Sequence, residues 1–361
     1  MTRTNRRMFL RSAAVAAVLA GSEFSSGEAT SEKLSLHVWR REAANPIFVP
    51  GQIYDSQGCQ APFVVRHTDT YFMFYGGIDK QGRQRVSLAT APVTQAAAGP
   101  GAWTRLGPII ELGRVGAFDE LSTTYPAVHR VGNKWHLYYT GRSTFRSPQH
   151  FSNYRGIGLA VSENLREWKK VSTDPVLTGE GYPGFPDNRS IVGLGRIVEL
   201  PQADGNVLYR MYHTLTPGLE GQEWNVIEDK YVVVAHSQDG IHWSDKRIVL
   251  GRRRDVPYED IGVVGLTAWR TKGGGWRGVY TGLGTKFKSY SLCEAVSADG
   301  LGWHRGPAGQ NLSLGPSGQG WEKQMIGYPS VDVTSERIVL FYNGAGGGAT
   351  GIGMAAATPV F

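Results

Sequence analysis

The chain has 361 residues and a formal net charge of +7, with 48 glycines, ten tryptophans and only two cysteines. Two cysteines exclude a disulfide scaffold and a multi-cysteine metal site. Four arginines and two acids lie within residues 1–29, so the remainder carries about +5, which gives no argument for a nucleic-acid partner.

In chain order, the first feature is Asn5-Arg6-Arg7-Met8-Phe9-Leu10-Arg11, followed by an apolar run over residues 12–20. Paired arginines, then Phe-Leu, then a modest apolar stretch match a twin-arginine export signal. No later segment reaches the roughly 20 apolar residues that a membrane-spanning helix needs. The expectation is a leader and short linker over residues 1–29, then one domain over 30–361. That domain is expected to be periplasmic or secreted, with no membrane partner after cleavage.

The rest of the chain repeats itself. A short apolar run ending in tyrosine recurs with Tyr75, Tyr139, Tyr212, Tyr280 and Tyr342, spaced 64, 73, 68 and 62 residues apart. An acid lies upstream of each: Asp55, Asp119, Asp187, Glu259 or Asp260, and Glu322. Three are followed seven positions later by proline (Pro62, Pro126, Pro329), two by Leu194 and Leu266. Downstream come a small-residue strand, a turn and a tryptophan, as in Ala235-His-Ser-Gln-Asp-Gly-Ile-His-Trp243 and Ala295-Val-Ser-Ala-Asp-Gly-Leu-Gly-Trp303. A fixed period marks a repeat architecture and outranks local propensity. Each copy reads as four short strands broken by turn dipeptides such as Asp239-Gly240 and Asp299-Gly300. The pattern predicts an all-β, five-bladed β-propeller of four-stranded antiparallel blades around a central channel. The last repeat lacks an outer strand, and residues 34–49 are expected to supply it. Tyrosines and tryptophans of the repeat are expected to wedge between blades.

Strand parity places function on one face. The loops that lead into each innermost strand, and those between second and third strands, lie on the same side of the disc. The long insertions at 142–155 and 214–230 fall there, and so do the repeated acids. Long loops on a rigid scaffold are where binding groups concentrate. Several carboxylates at one mouth suit glycosidic bond cleavage, in which one acid protonates the leaving oxygen and another carboxylate attacks or activates water. Asp55, Asp119, Asp187, Glu259 or Asp260, and Glu322 are all placed for such roles. Glu120, Arg189, Glu259, Asp260, Glu322 and the loop aromatic Trp224 are candidate substrate contacts. Each acid taken singly could equally cap a turn where the innermost strand begins. Arg252-Arg253-Arg254 reads as a solvated loop or as a contact for an anionic group.

The pattern of acid, Pro-Ala strand, Tyr-Tyr-x-Gly strand and Ala-x-Ser-x-Asp-Gly-x-x-Trp turn, as in Tyr125–Gly141 and Gly156–Trp168, resembles the five-bladed propeller glycosidases. These are the arabinanase and β-xylosidase group, the invertase and levansucrase group, and the mannoside phosphorylases. The resemblance spans roughly residues 45–361. It implies a base or nucleophile from the first blade, an orienting aspartate from the second and a general acid from the third. By station these are Asp55, Asp119 and Asp187. The chain departs from the family at two places: Gln60-Ala61-Pro62 replaces the usual Asp-Pro, and Asp187 stands where a glutamate is usual. The resemblance implies a carbohydrate substrate, with a furanoside such as arabinan or fructan favoured, and a monomer. No cofactor is implied; a structural calcium ion would suit such a channel, although no ligand motif is present. Two rival readings are a phosphorylase, with phosphate held by Arg189, Arg196 and His213, and a non-catalytic carbohydrate-binding propeller.

Overall fold

The computed structural model describes residues 34–143, 155–185, 190–217 and 229–360. The strands are β1 (Arg40–Arg41); β2 (Gly58–His67), β3 (Thr70–Ile78), β4 (Gln84–Pro92) and β5 (Thr104–Pro108); then β6 (Ser122–Val131), β7 (Lys134–Arg142), β8 (Arg155–Ser162) and β9 (Lys169–Lys170). They continue as β10 (Ile191–Pro201), β11 (Val207–Thr216), β12 (Tyr231–Ser237) and β13 (Ser244–Leu250), and as β14 (Gly262–Arg270), β15 (Trp276–Gly284), β16 (Ser289–Ser297), β17 (Trp303–His304) and β18 (Leu312–Leu314). The last are β19 (Gly327–Val333), β20 (Ile338–Asn343) and β21 (Ile352–Ala357). Among the described residues helix is limited to single turns such as Pro100–Ala102 and Ala345–Gly348.

These strands form antiparallel four-stranded units: β2 to β5, β6 to β9, β10 to β13, and β14 to β17 with β18 added. The first two units are joined by one parallel residue pair, Gln84 with Ser122. In the final unit β19, β20 and β21 are completed by β1, where Arg40 pairs with Ala356 and Arg41 with Ala355. The segment before the first unit therefore supplies the missing outer strand. The innermost strands stand side by side in a closed circuit: β2 beside β6, β6 beside β10, β10 beside β14, β14 beside β19, and β19 beside β2.

One irregularity recurs in each innermost strand. The ladder to the second strand slips at Ala61, Tyr125, Leu194, Gly265 and Tyr328, all with φ between 50° and 60°. Such bulges bend a strand and re-aim one side chain. Here they turn Ala61, Tyr125, Leu194 and Tyr328 into one apolar cluster shared between units. The bulge amide is freed from its ladder and is caught by the unit before it. Thr140 Oγ1 accepts from Leu194 at 3.2 Å, Thr214 Oγ1 from Gly265 at 3.1 Å, and Thr281 Oγ1 from Tyr328 at 2.9 Å. Asn343 Oδ1 accepts from Ala61 at 3.1 Å. At the corresponding position the first unit has Gly76, which has no side chain to offer.

The repeat tryptophans pack edge-on between units, as their spacing predicts. Trp168 meets Phe74 at 5.7 Å, Trp243 meets Tyr138 at 5.8 Å, Trp303 meets Tyr212 at 5.9 Å, and Trp103 meets Phe341 at 6.4 Å. The turns named in the sequence are also built as expected. Ser237 Oγ accepts from Gly240 N at 2.9 Å and Asp239 Oδ1 from Ile241 N at 2.8 Å; Ser297 and Asp299 repeat this with Gly300 and Leu301.

The third unit corrects the sequence register by one residue. Tyr75, Tyr139, Tyr280 and Tyr342 lie opposite a bulge, but His213, not Tyr212, holds that place in β11. Tyr212 matches Tyr138 instead, and both donate to a turn glycine of the following unit, Gly300 O and Gly240 O, at 2.7 Å. Likewise Leu194 matches Ala61 and Tyr125 rather than the prolines that follow them.

Candidate functional site

The repeated acids occupy one station, but it is not an open mouth. Asp55 is fully buried and accepts from Tyr75 Oη at 2.9 Å, Gln52 N at 2.7 Å and Gly51 N at 3.1 Å, and pairs with Arg105 of β5. Asp119 accepts from Tyr139 Oη at 2.9 Å and from Lys170 Nζ of β9 at 2.6 Å. Glu259 accepts from Tyr280 Oη at 2.6 Å and pairs with Arg253 and with Arg305, just beyond β17. Glu322 pairs with Arg41 of β1, and its charge, added to burial, raises the Tyr342 hydroxyl well above its ordinary value. In four of the units a buried carboxylate thus meets a cation on or beside the outer strand, and Asp55, Asp119 and Glu259 also accept from the second-strand tyrosine. A buried charge persists only when paired and hydrogen-bonded, as Asp55, Asp119 and Glu259 are; Glu322 has its Arg41 pair, while its Oε2 has no hydrogen-bond partner among the described residues.

Asp55 and Asp119 are the acids expected as catalytic residues, and Glu259 and Glu322 those expected as substrate contacts; the structure places all four at this buried, cation-paired station. The oxygens of Asp55, Asp119 and Glu259 are engaged by groups of their own unit. Glu120 accepts from Gly116 N at 2.7 Å, and Asp260 accepts from Thr285 N at 2.8 Å and Thr285 Oγ1 at 2.6 Å, so both shape loops. Arg252 pairs with Asp229 and Arg253 with Glu259, which removes both from the solvated-cluster and anion-contact readings. Asp187, Arg189 and Trp224 lie outside the described residues.

The third unit fills the station differently. Tyr182 Oη is hydrogen-bonded to His213 Nε2, and Lys246 of β13 lies over the Tyr182 ring, 5.1 Å from its centre. Burial pushes the His213 imidazole down to about 3, so it is neutral and suited to accept the phenol proton. Counting six residues back from Leu194, as Asp55 lies six before Ala61, reaches Asn188 and not Asp187. By this count Asp187 falls one residue away from the repeated position.

The open cleft lies at the end of the circuit where the innermost strands begin. It is lined by Tyr125, residues 191–194, Thr214, Thr216, Lys230, Val264, Tyr290 and Tyr328. Tyr328 packs against Tyr125 and Tyr290 with ring centres 5.5 and 5.7 Å apart. Burial raises the Tyr328 hydroxyl well above its ordinary value, and the neighbouring hydroxyls of Tyr125 and Tyr290 add to the effect. Tyr125 and Tyr328 reach the cleft because each is a bulge residue, immediately before Pro126 and Pro329. That shared Tyr-Pro pair is the sequence signal that could have identified them. Lys230 and Tyr290 carry no comparable signal. The cleft faces the long-loop side predicted from parity. None of Asp55, Asp119, Glu120, Glu259, Asp260 and Glu322 lines it.

Arg196 and His213, named as phosphate ligands, are also placed elsewhere. Arg196 is fully buried, donates to Pro126 O and Gly195 O at 3.0 Å, and lies 5.0 Å over the Phe63 ring. Cys59 and Cys293 are buried in different units. Among the described residues no three His, Cys, Asp or Glu side chains cluster as a metal site, and no helix is long and apolar enough to cross a membrane.

No family model matches the chain. An uncharacterized protein of Mycobacterium tuberculosis, found in two strains, is 29% identical over 290 residues, covering 80% of this chain and 88% of its own. Solved structures share the fold at lower identity. A glycosyl hydrolase from Bacteroides ovatus superposes with a TM-score of 0.66 at 17% identity, covering 90% of this chain and 95% of its own. A structure from glycoside hydrolase family 130, described as mannoside phosphorylases that include hydrolases targeting β-1,2-mannosidic linkages in Candida mannan, gives 0.66 at 17% identity, with 91% and 96% covered. A thermostable family-43 glycoside hydrolase gives 0.62 at 17% identity, with 88% and 93% covered. The chain thus has the all-β, propeller-like fold of glycoside hydrolases, at distant sequence identity.

Proposed function

We propose that the chain is a five-bladed propeller and an exported glycan-acting enzyme, a glycoside hydrolase that binds its substrate at the tyrosine-lined cleft. The closed circuit of innermost strands supports the blade number. The observation that carries the functional reading is the cleft itself. Phenol and threonine groups converge there on the long-loop face, as a polyhydroxylated ring requires. Asp187 is the proposed general acid. It stands four residues before Ile191 of the cleft wall and, in sequence, one residue before the position that matches Asp55, Asp119, Glu259 and Glu322. Asp55 and Asp119 are assigned to holding their blades together. Export through the twin-arginine leader places the activity outside the cytoplasm.

A second reading is favoured by one observation: no carboxylate of the described residues lines the cleft, and four of the expected acids are buried in cation pairs. That pattern suits a non-catalytic glycan-binding propeller. Purified mature protein is to be assayed on a panel of furanoside and pyranoside glycans, with and without inorganic phosphate. Hydrolysis that falls by roughly 10²–10⁴-fold in Asp187→Asn, at unchanged thermal stability, supports the enzyme reading. Saturable binding without turnover on any panel member selects the binding reading. Turnover that depends on phosphate selects a phosphorylase.

A further inference from the structure

We propose that the cleft is selective for an acidic sugar, a ring bearing a single carboxylate, and that Lys230 is its counter-charge. This rests on the glycan reading of the cleft and deepens it. Lys230 lines the cleft and is only 8% exposed. Its backbone is fixed at the mouth, where its carbonyl accepts from Val263 N at 3.1 Å and it bridges to Gly262. Among the described residues its ammonium has no hydrogen-bond or ion-pair partner, whereas Arg41, Arg105, Lys170, Arg253 and Arg305 are all paired. A lysine whose stem is packed into the wall and whose ammonium has no anion beside it offers a ligand carboxylate a charge-assisted hydrogen bond.

The lining also discriminates against the alternatives. A neutral sugar is usually held by carboxylate and amide acceptors, and the described lining side chains are hydroxyls, apolar groups and this one cation. A phosphate carries close to two charges and three strong acceptor oxygens, which calls for several cations or an arginine fork. The described lining holds a single lysine, a point charge suited to one carboxylate. The Tyr125, Tyr328 and Tyr290 rings supply apolar faces for the sugar body beside it.

The test is calorimetric titration of the mature chain with methyl glucuronide and methyl galacturonide, each against its neutral methyl glucoside or galactoside, with inorganic phosphate as a separate arm. The expected result is a uronide preference of about 10–100-fold in the wild type, weakened by salt. It should be lost in Lys230→Met and largely kept in Lys230→Arg, with thermal melts confirming that both variants fold. Equal affinity for charged and neutral glycosides overturns the proposal, and so does a preference that survives in Lys230→Met. Binding of phosphate alone, or of none of the probes, also overturns it. Turnover of neutral glycans without uronide preference would leave the enzyme reading intact and remove this one. Uronide binding without turnover of any glycan would do the reverse.

Discussion

Asn343 and Ala61 stand 282 residues apart in the chain and one hydrogen bond apart in space, with Asn343 Oδ1 accepting the Ala61 amide at 3.1 Å. The contact is the last-to-first member of a set whose other members are Thr140 with Leu194, Thr214 with Gly265 and Thr281 with Tyr328. Each satisfies a backbone amide that its own bulge has removed from the ladder. Replacing Asn343 by Ala leaves the buried Ala61 amide unpaired. The expected loss is about 1–3 kcal/mol in urea unfolding. Thr281→Val should cost a similar amount through Tyr328. A loss below a few tenths of a kcal/mol in both would show that these bonds contribute nothing to closure.

Asp119→Asn separates the scaffold role from a catalytic one. The substitution keeps a group for the Tyr139 hydroxyl but removes the charge facing Lys170. Breaking a buried pair from one side costs up to about 3–5 kcal/mol, and the partial exposure of Lys170 places this case at the low end or below it. The unfolding midpoint should fall while turnover per folded molecule stays within a few-fold of wild type. The opposite pattern, an unchanged midpoint with turnover lost, would return Asp119 to the reaction.

The buried histidines set an acid limit on stability. His213 is pushed down to about 3, and burial also lowers His129, His136 and His236. An unfolded histidine takes up its proton near pH 6.5, but folded His213 does not until about pH 3. Its contribution is therefore complete above pH 6.5 and declines as pH falls, by about 1.4 kcal/mol per pH unit. Unfolding free energy should drop between pH 7 and 5. His213→Gln should show a shallower drop over that range, and an identical slope would exclude His213 as a source.

Export is expected to depend on the arginine pair. In a bacterial host with a twin-arginine system, replacing Arg6 and Arg7 by Lys should leave the precursor in the cytoplasm, as read by fractionation and immunoblot. Undiminished export of that variant would exclude the route.

The fold was legible because its punctuation is short-range and repeated: proline after the bulge, an aromatic run, the Ser-x-Asp-Gly turn, then tryptophan. The slip at the third unit has a local cause. Tyr209, Tyr212 and His213 offer a run of similar rings, and strand periodicity alone does not fix a one-residue offset. The acids were found at a true station, but the groups that engage their oxygens there were not visible. Sequence showed Asp55 twenty residues before Tyr75, yet it could not show Arg105 folding back from fifty residues further on. Thr140, Thr214, Thr281 and Asn343 did leave a trace, a polar residue directly after the strand-two ring position. Its meaning depends on a neighbouring unit that no local pattern displays. The cleft lysine was hidden for the same reason.

The outer strand of the final unit is made first and its inner neighbours are made last. Arg41 must wait through synthesis of nearly the whole polypeptide before Ala355 and Glu322 exist to receive it. A chain cut short before β21 would therefore be defective at both ends at once, with its first strand undocked and Glu322 facing no cation from β1. Completion of translation and docking of the chain's first strand are thus a single event.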